Sequence, residues 1–101
     1  MKLNGIEVPD GRIAEYCREW QVAELSLFGS VLRPDFRPDS DVDVLVSFGP
    51  EAHWSLYDIV EMMDQLKEMF NREVDLVEKE ALRNPFRRNE ILATRKVIYA
   101  A

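Results

Sequence analysis

The sequence predicts an α+β fold in which a small mixed β-sheet is covered by helices. Three observations support this prediction: apolar residues recur with helical spacing in some segments, they alternate with period two in others, and capping or turn residues separate the two kinds. The order along the chain is helix, strand, loop, strand, helix, strand, helix, which is typical of layered proteins built around one sheet. The 101 residues are expected to form a single domain, 1–101.

The first half of the chain contains a helix, a strand and a loop. Asp10 is placed to cap a helix over about residues 11–20, whose apolar stripe needs a core to pack against. Residues 22–28 alternate between apolar and polar, which predicts a strand with one apolar face. Gly29 and Ser30 interrupt this pattern, and we expect no more than a single helical turn before a proline-containing loop.

The second half alternates between helices and strands. Ser55 is placed to cap a helix over residues 56–70, and residues 72–78 alternate as a strand does. An Asn-Pro pair opens a basic helix over about residues 84–93, and residues 97–100 form a short edge strand or pack over the sheet. The buried stripe of the middle helix is expected to comprise Leu56, Ile59, Val60, Met63, Leu66 and Phe70.

Charge and composition disfavour several classes of function. The formal net charge is −6, which repels phosphate backbones, so direct nucleic-acid binding is not expected. The single cysteine, Cys17, excludes an internal disulfide framework and a cysteine-based zinc site. There is no apolar stretch of membrane-spanning length and no export signal at the N-terminus, so we expect a cytoplasmic location without membrane contact.

Two aspartates stand at the head of the strand that is expected to start near Asp41. In the segment DVDVLVSF, Asp41 and Asp43 lie on one face, about 7 Å apart along the backbone. At an effective dielectric of about 20, their charges repel by roughly 2.4 kcal/mol, and Asp75 in the next strand could add a third carboxylate. Mg²⁺ would convert this repulsion into attraction, and the backbone at Gly29 with the Ser30 hydroxyl could hold a phosphate beside it.

This combination resembles the DNA polymerase β-like nucleotidyltransferase superfamily, whose signature is Gly-Ser, about ten residues, Asp-x-Asp, and a further Asp on a neighbouring strand. Here Gly29-Ser30 is followed by ten residues and then by Asp41-Val42-Asp43, and Asp75 stands within VDLV. The segments FGSVLRPDFRPDSDVDVLV and NPFRRNEILATRKVIYA resemble, more specifically, the minimal nucleotidyltransferase (MNT) group, in which this catalytic module stands almost alone.

The resemblance implies a function, cofactors and a partner. Members of the MNT group are commonly antitoxins paired with HEPN-domain toxins, which implies a hetero-oligomer in a type VII-like toxin-antitoxin system. The implied reaction transfers AMP from ATP to a tyrosine hydroxyl of the toxin, with two Mg²⁺ ions. By position, the resemblance assigns catalysis and metal binding to Asp41, Asp43 and Asp75. It assigns the nucleotide phosphates to Gly29, Ser30 and Arg33.

Two other functions stay open. A transferase of the aminoglycoside type would act on a small hydroxylated molecule, but such enzymes generally need an added helical domain to enclose the acceptor. An antitoxin could also neutralise its toxin by contact alone, without catalysis. The single histidine, His53, has no patterned partner and is not expected to act as the general base.

The basic residues near these motifs also have alternative roles. Arg33 could form a salt bridge with a nearby aspartate, Asp35 or Asp39, instead of contacting phosphates. The basic residues of the last helix could be its solvated face or a partner surface; these residues are Arg83, Arg87 and Arg88.

Overall fold

The computed structural model describes residues 1–101, which form six β-strands and three α-helices. In chain order these elements are β1, Lys2–Leu3; β2, Ile6–Glu7; α1, Asp10–Glu19; β3, Val22–Phe28; β4, Val42–Phe48; α2, Leu56–Phe70; β5, Val74–Glu78; α3, Pro85–Thr94; and β6, Lys96–Ala100. A 3₁₀ turn, Gly29–Leu32, follows β3, and a second, Lys79–Ala81, follows β5. None of the helices combines the length and hydrophobicity needed to cross a membrane.

Four of the strands form the main sheet, in the order β5-β4-β3-β6. Strand β3 lies between two antiparallel neighbours, whereas β4 pairs with β5 in parallel. The parallel pair is joined through α2, as expected because parallel neighbours need a long crossover connection. The predicted α+β fold, a small mixed sheet covered by helices, is therefore confirmed.

The helices cover the two faces of the sheet unequally. Helices α1 and α2 pack on one face, where 17 buried residues form the larger core cluster. Helix α3 covers the opposite face through a smaller cluster, consisting of Phe28, Leu45, Leu82 and Ile91. Successive strand residues point to opposite faces, so Leu27 and Val44 enter the large cluster while their neighbours Phe28 and Leu45 enter the small one.

The ends of α2 are fixed by local interactions, of which the sequence analysis predicted the Ser55 cap. The Ser55 hydroxyl accepts a hydrogen bond from the Asp58 backbone N–H, and the Asp58 carboxylate accepts one from the Ser55 N–H, which completes a capping box. At the other end, Asn71 adopts the left-handed conformation with φ 54° that terminates many helices. The predicted bounds of this helix are confirmed.

The buried face of α2 differs from the predicted stripe. Met62, Leu66 and Phe70 are buried, whereas Leu56 is 78% exposed and Val60 is 50% exposed. Apolar residues occupy more than one side of this helix, and packing on the sheet selects which side is buried. The sequence prediction was therefore wrong for the N-terminal part of the stripe.

The starts of three other elements also differ from the predictions. Pro9 and not Asp10 is the N-cap of α1, because Asp10 is already the first residue of the helix. The Asp10 carboxylate accepts a hydrogen bond from the N-terminal ammonium at 3.2 Å. Strand β4 begins at Val42, so Asp41 immediately precedes it. Strand β5 begins two residues later than predicted, because the Arg72 backbone N–H still bonds a carbonyl of the last turn of α2.

A hairpin formed by β1 and β2 was not predicted from the sequence. Asn4 and Gly5 connect the two strands, and both have positive φ, 46° and 89°. An Asn-Gly pair is the strongest short-range signal for such a two-residue turn. The Asn4 side-chain amide donates to the Val31 carbonyl at 2.8 Å, which ties the hairpin to the Gly29–Leu32 turn.

The observed buried face of α2 predicts that two adjacent methionines contribute differently to the free energy of unfolding. Replacing Met62, which is fully buried, by alanine should lower the free energy of unfolding by about 2–5 kcal/mol, because it leaves a cavity in the large cluster. Met63→Ala is the matched control and should cost roughly 1 kcal/mol or less, because Met63 is only partly buried. Urea unfolding of both variants measures this, and equal losses would contradict the observed orientation of α2.

Candidate active site

Two aspartates lie side by side at one end of the sheet. Asp43, the second residue of β4, is paired in register with Asp75 of the parallel strand β5. Neighbouring strands lie about 4.8 Å apart, and paired residues point to the same face, so the two carboxylates are close neighbours. Asp41 precedes β4 by one residue and is exposed to solvent at the same end of the sheet.

The electrostatics of Asp43 reflect this crowding. Partial burial raises the pKa of Asp43 most, and repulsion by the Asp75 and Asp41 carboxylates raises it further. The positive charge of Arg87 on α3 acts in the opposite direction and lowers the pKa of Asp43. The structure therefore brings the three predicted aspartates into one electrostatic cluster, and it adds Arg87, for which the sequence indicated only a solvated face or a partner surface.

The Gly-Ser turn lies directly against Asp43. Strand β3 ends at Phe28, which is paired with Asp43, and Gly29 follows with φ +75°, a conformation that favours glycine. A Cβ atom at position 29 would overlap Oδ2 of Asp43. Gly29 therefore has two roles, because it permits the reversal of the backbone after β3 and leaves room for the carboxylate.

An open cleft of about 390 Å³ lies beside this turn, between it and helix α3. It is lined by Gly29, Ser30, Leu32, Arg33, Glu90 and Thr94. Its volume is within the range of about 300–1,000 Å³ that small-molecule and cofactor sites occupy. All three residues predicted to hold phosphates thus line a single cleft, and α3 supplies its other wall.

Arg33 lines the cleft but also has an acidic partner. Its guanidinium donates two hydrogen bonds to the Asp35 carboxylate, from Nε and Nη2, each at 3.0 Å. Both side chains are more than two-thirds exposed, so this pair adds little to stability and can exchange for another anion. Of the two aspartates weighed from the sequence, Asp35 pairs with Arg33, while Asp39 pairs with Arg37.

The loop between the Gly-Ser turn and β4 is fastened by Arg72. This side chain stacks on the Phe36 ring, with its guanidinium carbon 4.6 Å from the ring centre. It also donates to the carbonyls of Arg37 and Ser40, at 2.6 and 2.5 Å. These contacts join the loop to the start of β5 and hold the segment that carries Asp41.

The donor set at this end of the sheet fits Mg²⁺. No three His, Cys, Asp or Glu side chains are close enough together to form a complete protein cage for a metal ion. Mg²⁺ does not need such a cage, because it is usually held by one or two carboxylates with substrate phosphates and water as the other ligands. Asp43 and Asp75 provide hard oxygen donors beside a turn able to hold phosphate.

Other ionisable side chains lie away from this cluster. His53 is exposed in the loop beyond the C-terminal end of β4, whereas the aspartates are at its N-terminal end. Cys17 is buried in the large core cluster, and burial raises the pKa of its thiol to about 12, which makes it unreactive. A second cleft, of about 190 Å³, lies between α1 and α2 and is separated from the aspartates by the sheet.

Comparisons with known proteins agree with the motif. Residues 11–98 match the family model described as "Nucleotidyltransferase domain". Over 78 residues the chain is 36% identical to the protein adenylyltransferase MntA of Thermococcus cleftensis, and the match covers 77% of this chain and 74% of that protein.

Two solved structures share the fold. A toxin-antitoxin complex with AMP-PNP has a TM-score of 0.72 at 18% identity, covering 93% of this chain and 75% of that chain. A complex of tri-AMPylated HEPN toxin with MNT antitoxin from Shewanella oneidensis has a TM-score of 0.62 at 17% identity, covering 91% and 70%. The predicted polymerase β-like fold is therefore confirmed. The chain belongs to the nucleotidyltransferase domain family and, within it, to the minimal nucleotidyltransferases.

Proposed function

We propose that the chain is a Mg²⁺-dependent protein adenylyltransferase that transfers AMP from ATP to a tyrosine hydroxyl of a HEPN toxin and thereby acts as its antitoxin. The observation that carries this proposal is the pairing of Asp43 with Asp75 directly against the Gly29 turn. A metal-binding carboxylate pair and a phosphate-binding turn are thus adjacent, as transfer of a nucleotidyl group requires.

The names of similar proteins support the choice of nucleotide and acceptor. The MntA relative is named a protein adenylyltransferase, and the structural neighbours are toxin-antitoxin complexes that contain AMP-PNP or an AMPylated HEPN toxin. The open cleft also favours a protein acceptor over a small molecule. A protein acceptor brings its own surface to close an open site, whereas a small acceptor needs enclosing walls, and the cleft beside the Gly-Ser turn is open to solvent.

The reaction transfers an adenylyl group by forming one phosphorus–oxygen bond and breaking another. The acceptor oxygen bonds to the α-phosphorus of ATP, the bond from that phosphorus to the bridging oxygen breaks, and pyrophosphate leaves. Asp41, Asp43 and Asp75 would hold Mg²⁺ together with phosphate oxygens and water, and the ion would supply positive charge that offsets the triphosphate and favours loss of the acceptor proton. The backbone N–H groups at Gly29 and the Ser30 hydroxyl hold phosphate oxygens in place.

A carboxylate is the best candidate to receive the acceptor proton. The pKa of a tyrosine hydroxyl is about 10, so its proton has to be taken up as the new bond forms. Asp75 is exposed at the mouth of the site and can accept this proton directly or through water. A histidine base is not required, because His53 is at the other end of β4.

The first prediction concerns catalysis. When the chain is mixed with its HEPN partner, ATP and Mg²⁺, mass spectrometry should show a mass increase of one or more AMP groups on the partner. Asp43→Asn should slow this transfer by about 10²–10³-fold or more, the scale of removing one electrostatic stabiliser from a reaction centre. Asp64→Asn, an equal charge change on α2 at the opposite face of the sheet, is the matched control and should leave the rate unchanged.

Two outcomes would decide between this proposal and its alternatives. Neutralisation of the toxin that survives Asp43→Asn and consumes no ATP would favour an antitoxin that acts by contact alone. AMP transfer to an aminoglycoside but not to the HEPN protein would favour the small-molecule transferase.

The second prediction concerns stability and pH. Folding raises the pKa of Asp43, so the carboxyl stabilises the fold when protonated below its ordinary pKa of 3.8, and this contribution is lost as pH rises through the folded-state pKa. In buffer without divalent cations at pH 7, Asp43→Asn should therefore melt at a higher temperature than the wild type. The difference should shrink toward pH 3.8, and thermal melts across this range measure it. A variant that melts at a lower temperature than the wild type at pH 7 would contradict the inferred burial of Asp43 and its repulsion by the neighbouring carboxylates.

The third prediction concerns Gly29. Gly29→Ala should lose about 1–2 kcal/mol because of its positive φ, and it should also lose most AMP transfer because the new methyl group displaces Asp43 Oδ2. Gly5→Ala is the matched control, since Gly5 has φ +89° but open space around its Cβ position. It should show a similar loss of stability with full activity. Equal activity of both variants would contradict the role of the close approach at Asp43.

A further inference from the structure

Helix α3 presents one polar face to the cleft beside the Gly-Ser turn. Glu90 and Thr94 line the cleft directly. Arg87 precedes them by three and seven residues, a spacing that places all three side chains on the same side of a helix. Arg87 is therefore at the end of this face where the helix begins, and its charge reaches Asp43 from there.

Arg87 has no partner in the chain, unlike Arg33, Arg88 and Arg95. Arg33 is paired with Asp35, Arg88 donates to the Lys79 carbonyl at 2.8 Å, and Arg95 is paired with Glu24 at 3.2 Å. No carboxylate lies within 4.0 Å of the Arg87 guanidinium, and its side chain makes no hydrogen bond. An exposed, unpaired guanidinium beside a carboxylate cluster is positioned for an anion brought by a ligand.

We propose that Arg87 binds the phosphate chain of the nucleotide, so that α3 forms the second wall of the nucleotide site opposite the Gly-Ser turn. This inference rests on the proposed function, because it assumes that the cleft binds ATP. Arg87 and Asp43 are not within the 4.0 Å of an ion pair, although the charge of Arg87 acts on Asp43, so the guanidinium is not occupied by this carboxylate. The guanidinium suits this role, because its planar fork can donate two hydrogen bonds to one phosphate.

The same face sets the direction in which the nucleotide lies. The Glu90 carboxylate repels phosphate, so the triphosphate extends toward Arg87 and Asp43. Glu90 and Thr94 lie about 4.5 and 10.5 Å farther along the helix axis, given a rise of about 1.5 Å per residue. The nucleoside therefore occupies the Glu90 end, where a carboxylate and a hydroxyl can bond its sugar hydroxyls or amino group.

Calorimetric titration of adenosine, AMP and Mg²⁺-AMP-PNP into the purified chain tests this inference without depending on catalysis. Arg87→Ala should weaken Mg²⁺-AMP-PNP binding about tenfold or more and adenosine binding less than twofold, because only the phosphate contacts are lost. Arg87→Lys should recover part of the affinity, because it keeps the charge but not the fork. Arg12→Ala, which removes an equal charge from α1 on the other face of the sheet, should bind all three ligands as the wild type does.

Each other result would overturn the inference in a recognisable way. Equal weakening of adenosine and Mg²⁺-AMP-PNP by Arg87→Ala, with a lower melting temperature, would indicate a structural role. Unchanged affinity together with a shifted pH profile of AMP transfer would indicate that Arg87 acts only on the charge of Asp43. Unchanged affinity and an unchanged profile would exclude both roles. A wild-type chain that binds no nucleotide would instead overturn the proposed function, and this inference with it.

Discussion

The close approach of Asp43 to its neighbours is the constraint on which the rest of the site depends. The parallel register of β4 and β5 sets it beside Asp75, and the antiparallel register of β3 and β4 brings Gly29 against its carboxylate. Like charges at this separation are costly, and partial burial increases the cost because it weakens solvation. The fold retains the arrangement because the strand register that places the carboxylates is the same register that builds the core beneath them.

Unequal covering of the sheet explains why the site is open. The face under α1 and α2 is filled by 17 buried residues, whereas α3 contributes to a cluster of only four. Polar contacts supplement this small cluster: Arg88 bonds the Lys79 carbonyl, and Glu24 on β3 pairs with both Arg95 and Lys79. Because these anchors hold the helix along its other sides, its Arg87–Thr94 face stays free to border the cleft.

Charge balance at the site differs from that of the whole molecule. A chain with net charge −6 repels an anionic nucleotide, and the aspartate cluster adds to the repulsion locally. Arg33 lines the cleft, the positive charge of Arg87 on α3 acts on Asp43, and a divalent cation would offset the repulsion among the carboxylates. The Arg33 pair with Asp35 is exposed and adds little to stability, so the guanidinium would exchange Asp35 for another anion at little cost.

Local chemistry explains what could be read from the sequence, and contacts between distant residues explain what could not. Alternation and capping depend on near neighbours, so they predicted the main helices and strands. The spacing of Gly29-Ser30 from Asp41 and Asp43 is also local, and it predicted the family and the cluster of aspartates. The Asn4-Gly5 pair is also a local signal for a hairpin turn, but it was not used to predict the hairpin. The residue-by-residue register that pairs Asp43 with Asp75, the buried side of α2 and the position of Arg87 depend on strand pairing and helix packing. Periodicity shows that a face is apolar or charged, but contacts between remote segments decide whether that face is buried and which residues it meets.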